Sequence, residues 1–222
     1  MKIINSFILA CIIILLNTTF VYSIAIELDE FSGYHGDFSE YSKVFECSLG
    51  RRHNKHISLI RGEPFYLGYF YAIKFEDKIV PLGKFFTYNT DDDRDFGKSY
   101  TDSISVGCFG IHEKVLVIYA AISGNSADAV VLRHNELFQS YEYIHLRVRG
   151  APNFVYINRK NMLLVSYHGT LGATEHYYIV GKYIGGKGQI DPNDALHDLS
   201  GPKLPERKGY TVLPVKLNHL KN

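Results

Sequence analysis

The chain lacks a helical repeat, a sizeable net charge and any apolar run long enough to cross a bilayer. Each absence removes a class of answer. Without the 3.6-residue period there is no bundle of helices to build. A near-balance of 24 basic and 23 acidic residues leaves no long-range field to gather nucleic acid or an anionic membrane. The longest later apolar run, Val115 to Ile122, has the length of a strand, whereas a spanning helix needs about 20 residues. The tail, Leu217 to Asn222, is polar and carries neither a lipid-anchor signal nor a retrieval signal.

The first residues read differently. Lys2 precedes an apolar stretch from Phe7 to Leu16, and Val21-Tyr22-Ser23 closes it with compact side chains. This pattern predicts a signal peptide over 1–23, cleaved after Ser23 or alternatively after Ala25, and a secreted, extracellular domain over 24–222. Loss of 1–23 removes Lys2 and Cys11 and leaves 23 basic and 23 acidic residues. Cys47 and Cys108 are then the cysteines of an oxidising compartment, and a disulfide between them is the expected pairing. No Asn-x-Ser/Thr sequon follows residue 23.

What is present is β in character. From Phe65 onward Tyr, Phe, Val and Ile dominate, with Gly, Asn and Asp between them. Strands are predicted at 65–75, 79–88, 104–111, 114–122, 128–133, 141–149, 154–158, 162–168 and 176–184. Glu76-Asp77-Lys78 and Asn158-Arg159-Lys160-Asn161 are predicted to turn hairpins. A short helix over 193–199, capped by Asn193, is the exception. The fold class expected is all-β, with antiparallel sheets in one sandwich-like or pseudo-repeat domain. A faint repeat at a spacing of 47 aligns Val115-Leu116-Val117-Ile118 with Met162-Leu163-Leu164-Val165, and Asp128 with Glu175.

Chemistry-bearing clusters are few. Asp91, Asp93, Asp95 and Asp102 fall at calcium-loop positions, but Phe96 stands where that loop needs glycine, so a solvated tip and no metal is the expectation. His168 and His176 flank a loop without a clear set of further zinc ligands. His112-Glu113 lacks the second histidine of a zincin, and no Gly-x-Ser-x-Gly occurs. No catalytic residue and no cofactor is therefore assigned. On 141–149, Tyr143, His145, Arg147 and Arg149 alternate with Ile144, Leu146 and Val148. That polar face is expected to be solvated, or to grip an anionic sugar. The acidic segment 24–46 and the basic segment 51–61 are expected to pair with each other.

Gly62-Glu63-Pro64-Phe65-Tyr66-Leu67-Gly68 with Pro81-Leu82-Gly83-Lys84 resembles the DM-nine repeat family. Glu175 to Lys182, Gly188-Gln189-Ile190-Asp191-Pro192 and Gly209-Tyr210-Thr211-Val212-Leu213 echo the same repeat. Tyr69 and Gln189 depart from the family pattern, and tryptophan is missing. The resemblance implies two divergent units, about 60–130 and 131–215, and lectin-like recognition of a glycan or glycoprotein. The residues it points to are Glu63, Lys84, Glu175, Lys182 and Asp191. The competing expectation is a protein-binding effector or structural module that presents a β face to an extracellular partner.

Overall fold

The computed structural model describes residues 38–65, 68–76, 78–85, 104–123, 126–148, 150–171, 175–184, 188–190 and 209–220. These form an all-β structure of three antiparallel sheets, and apart from a 3-10 turn at Leu82–Phe85 they contain no helix. Sheet one is a meander of β1 (Ser42–Leu49), β2 (Lys55–Phe65), β3 (Gly68–Phe75) and β4 (Lys78–Pro81). Sheet two is the meander β5 (Ile104–Phe109), β6 (Val115–Ser123), β7 (Ser126–Asn135) and β8 (Ser140–Val148). Sheet three repeats the plan with β9 (Pro152–Ile157), β10 (Asn161–Leu171), β11 (Glu175–Ile184) and β12 (Gly188–Ile190). The C-terminal strands β13 (Thr211–Pro214) and β14 (Asn218–His219) then extend sheets three and two, pairing with β9 and β5.

The sequence explains why sheet two lies in the middle. Along β6 and β7 both alternating sets of side chains are apolar, as a strand buried on both faces requires. Leu116, Ile118, Val130 and Leu132 pack with Leu49, Ile57, Leu59 and Ile73 of sheet one. Val115, Val117, Ala129 and Val131 pack with Val155, Ile157, Met162 and Leu164 of sheet three. The result is three stacked sheets with two apolar layers. Each fully buried Val, Leu or Ile contributes about 1.5–3 kcal/mol.

Cys47 on β1 and Cys108 on β5 are joined by a disulfide that staples sheet one to sheet two, with their Cα atoms 5.7 Å apart. The hairpin at Glu76 closes as expected, Phe75 pairing with Lys78. The hairpin at Asn158 also closes, with Ile157 opposite Met162. The two hairpins aligned by the 47-residue spacing are β6–β7 and β10–β11, the second and third strands of successive meanders. A boundary at 130/131 falls inside β7 rather than between meanders.

Several expectations need correction. The first strand is not at 65–75, because β1 and β2 precede it. Of the segment 79–88, the described residues are strand only to Pro81, and the 3-10 turn at Leu82–Phe85 follows. The face bearing Tyr143 and His145 is only partly solvated. Tyr143 meets Phe85 edge to face at 5.3 Å, and His145 Nε2 is 2.9 Å from the buried Asp128 Oδ1. Of the described residues on that face, Arg147 is exposed, Tyr143 half-buried and His145 buried. Of the acidic segment only residues 42–46 pair as strand with 58–61 of the basic one, and Arg51 and Lys55 direct their charge elsewhere, to Glu113 and Glu76. The Asp91 loop, the 193–199 helix, Arg149 and residues 1–37 lie outside the described residues.

Candidate functional site

Four turns from all three sheets meet at one end of the stack. They are the β1–β2 turn from Gly50, the β5–β6 turn from Gly110, the β7–β8 turn after Asn135 and the β9–β10 turn after Ile157. Gly50 bridges to Lys114, which ties the first turn to the second. Gly110 has φ 108°, and a Cβ there would lie 2.0 Å from the carbonyl oxygen of Glu113. Only glycine lets this turn close, and the turn sets the position of Glu113. Asn135 and Asn158 each use a side-chain oxygen to accept backbone N–H groups of their own turns, from Leu137 and from Lys160 and Asn161.

A buried ion pair locks the turns in place. Arg133 on β7 stands opposite Glu142 on β8, and both are fully buried. Arg133 Nε donates to Glu142 Oε2 at 2.6 Å, and Nη2 lies 2.6 Å from the same oxygen. Asn135 Nδ2 donates to the other oxygen, Oε1, at 3.0 Å. Arg133 Nη1 donates across the layer to the carbonyls of Asn158 at 2.7 Å and Asn161 at 3.2 Å. One guanidinium thus fixes sheet two to the turn of sheet three. Burial pushes the Glu142 carboxyl above the usual carboxylate range, and the neighbouring Arg133 pulls against it.

Above this lock lies a polar pocket of about 250 Å³, lined by Arg51, Glu113, His134, Asn135, Glu136, Leu137 and Arg159. Glu136 Oε1 is taken by the backbone N–H groups of Arg51 and Arg52 at 3.1 and 3.3 Å. Two other polar groups of the pocket make no hydrogen bond among the described residues, although Glu113 is ion-paired. Glu113 stands 3.6 Å from Arg133 Nη1 and 4.0 Å from Arg51 Nε, beyond hydrogen-bond length in both cases. Burial raises its carboxyl, against the pull of Arg133 and Arg51. His134 Nδ1 is buried with no hydrogen-bond partner among the described residues.

Burial lowers the His134 pKa below its ordinary value of 6.5, so the fold prefers the neutral ring. The stability this provides is complete above that ordinary value and is lost as pH falls through the folded value. His134→Gln is expected to flatten the decline of Tm between about pH 7 and pH 5. Equal slopes for parent and variant would remove His134 from the acid response.

The residues picked out by resemblance fall elsewhere. Glu63 is in the irregular stretch of β2 between Arg61 and Pro64, and Lys84 is in the 3-10 turn after β4. β3 lies between β2, which carries Glu63, and β4, which the turn carrying Lys84 follows. Glu175 opens β11 opposite Leu171, and Lys182 sits seven residues along, opposite Leu163. About 23 Å of strand separates those two, so they do not form one site. Asp191 lies outside the described residues. His168 falls at the irregularity of β10, and His176 is paired with Thr170. Among the described residues no group of three or more His, Cys, Asp or Glu is placed to hold a metal.

Sequence reasoning missed Arg51, Glu113, His134, Asn135, Glu136 and Arg159 as one group. One signal was available. Pairing across the Glu136–Gln139 turn sets Arg133 against Glu142, an opposite-charge pair between two apolar strands. Comparison with family models, with curated proteins and with solved structures finds no match.

Proposed function

We propose that the chain is a secreted, non-catalytic glycan-binding protein, and that a sugar residue docks in the polar pocket at the converging turns. The observation that carries this reading is a concave pocket lined by the Glu113 carboxylate, which no hydrogen bond from Arg51 or Arg133 reaches, and by the guanidinium groups of Arg51 and Arg159. Vicinal hydroxyls donate and accept at once, so they suit a wall of carboxylate, imidazole and guanidinium better than an anion or a cation does. The pocket is the size of a single ring rather than a long chain. The disulfide supports an oxidising compartment, and among the described residues no helix is long and apolar enough to cross a membrane.

A glycan array tests this. With a parent signal in hand, Glu113→Gln and Arg159→Ala are each expected to weaken binding about tenfold or more, because each leaves a ligand hydroxyl unmatched. Lys84→Ala and Glu63→Ala should leave binding unchanged. The reverse pattern moves the site to the residues of the DM-nine resemblance. A parent protein that binds no glycan ends the reading.

A further inference from the structure

The end of the stack that carries the four turns concentrates positive charge. Residues 50–54, 110–114, 136–139 and 158–160 hold five cations, Arg51, Arg52, Lys114, Arg159 and Lys160, against the two carboxylates of Glu113 and Glu136. That is an excess of three on four short turns of a chain whose net charge is +1. Both carboxylates are already engaged, Glu113 by Arg133 and Arg51 and Glu136 by the amides of Arg51 and Arg52. Among the described residues the side chains of Arg52, Lys114, Arg159 and Lys160 make no ion pair. Arg52, Arg159 and Lys160 are exposed and Lys114 is half-buried. The near-balance that keeps an anionic surface from attracting the chain as a whole therefore does not hold at this end.

The same end carries the large apolar side chains that are left in water. Among the described residues these are Ile111 at 82% exposure, Leu137 at 55% and Val212 at 38%. Ile111 stands on the β5–β6 turn and Leu137 on the β7–β8 turn. Val212 follows Thr211, which pairs with Ile157 just before the β9–β10 turn. Exposed apolar residues scattered singly need no explanation, but these are gathered on or beside the turns that hold the uncommitted cations. The turn backbones are fixed by the bonds to Glu136, Asn135 and Asn158, so the tips are presented without a further ordering cost.

We propose that this end docks on an anionic phospholipid bilayer, with Ile111 and Leu137 entering the headgroup layer and Arg52, Arg159 and Lys160 meeting the lipid phosphates and carboxylates. Apolar groups at the headgroup boundary and cations around them are the two sources of affinity for a protein that lies on a membrane without crossing it. The mixture identifies the occupant. A nucleic acid or a sulfated polymer would match the cations and leave Ile111 and Leu137 in water. A second copy of this chain would bring the same positive charge to the contact. A rigid protein partner would need acidic groups and a separate pit for each turn, whereas a fluid bilayer takes each tip independently. The proposal does not rest on the glycan reading, since Ile111, Arg52 and Lys160 do not line the polar pocket.

The probe is a vesicle of phosphatidylcholine and phosphatidylserine in equal parts, sedimented with the full disulfide-bonded protein, and phosphatidylcholine alone is the comparison. The parent is expected to pellet with the mixed vesicles, to stay in solution with phosphatidylcholine, and to be released by added salt, which screens the charges. Ile111→Asp and the double variant Arg52→Glu with Lys160→Glu should each weaken binding about tenfold or more. Lys216→Glu, on the exposed link between β13 and β14, should bind like the parent. The substituted side chains are exposed, so each variant should keep the parent Tm. A parent that stays in solution with the mixed vesicles overturns the proposal. So does loss of binding on charge reversal with Ile111→Asp and Leu137→Asp both unaffected, which would make this end a site for any polyanion. Glycan-array binding should be the same for the parent and Ile111→Asp, so the two readings fail separately.

Discussion

Glu142→Ala is expected to lower folding stability by about 3–5 kcal/mol, the largest effect of any single substitution considered. Removing the carboxylate leaves the fully buried Arg133 charge uncompensated. It also takes from Asn135 Nδ2 its 3.0 Å acceptor on Glu142, leaving the Arg159 carbonyl at 3.2 Å. Arg133→Ala should cost a similar amount, because it strands Glu142 and two turn carbonyls together. For a domain of this size 1 kcal/mol shifts Tm by about 2–4 °C, so each variant should melt roughly 10 °C lower. The double variant Arg133→Met with Glu142→Leu should recover much of that loss, since an apolar pair of similar volume avoids desolvation. If Glu142→Ala melts within about 2 °C of the parent, the pair is not the lock described.

The disulfide is the second large term. Cys47 and Cys108 are 61 residues apart, and closing a loop of that length stabilises by about 4 kcal/mol through the entropy of the unfolded chain. The double substitution to alanine should therefore lower the urea midpoint substantially and steepen the slope, since the unfolded chain becomes less compact, and reduction of the parent should do the same. Because the bridge joins sheet one to sheet two, its loss should expose sheet one amides to hydrogen exchange before those of sheet three. Two thiols open to alkylation in the unreduced native protein would show that the bridge is not formed.

Much of this architecture is legible in the sequence, and the reason is burial. The central strands read as unbroken apolar runs because both of their faces are covered, and the run from Val115 stands out for that reason. The 47-residue spacing is visible because two meanders repeat the same hairpin. The two cysteines predict their bridge once the first segment is set aside. β1 and β2 were hidden because their outward positions carry Lys43, Glu46, His56 and Ser58. Those side chains interrupt the apolar signal, although Ile57 and Leu59 keep the period of two. The 3-10 turn at Leu82 was hidden by side chains that pack inward like those of a strand.

The site was harder to read for a different reason. Its lining spans Arg51 to Arg159, and only the register of three sheets brings those turns to one end. Each member has an ordinary local explanation. His112-Glu113 reads as an incomplete metal motif and Asn158-Arg159 as a hairpin turn. Glu136 reads as a solvated loop acid. Nothing local marks Arg133 as buried, since a charge at a strand end is usually solvated.

The central claim is that ligand binds where the four turns converge. A titration of the ¹⁵N-labelled protein with the tightest saccharide from the array, followed by amide chemical shifts, addresses it most directly. The account predicts that shifts cluster at residues 50–52, 110–114, 134–137 and 158–160, with the amides of residues 63 and 84 unmoved. Shifts centred on residues 63 and 84, or on β11, would contradict it.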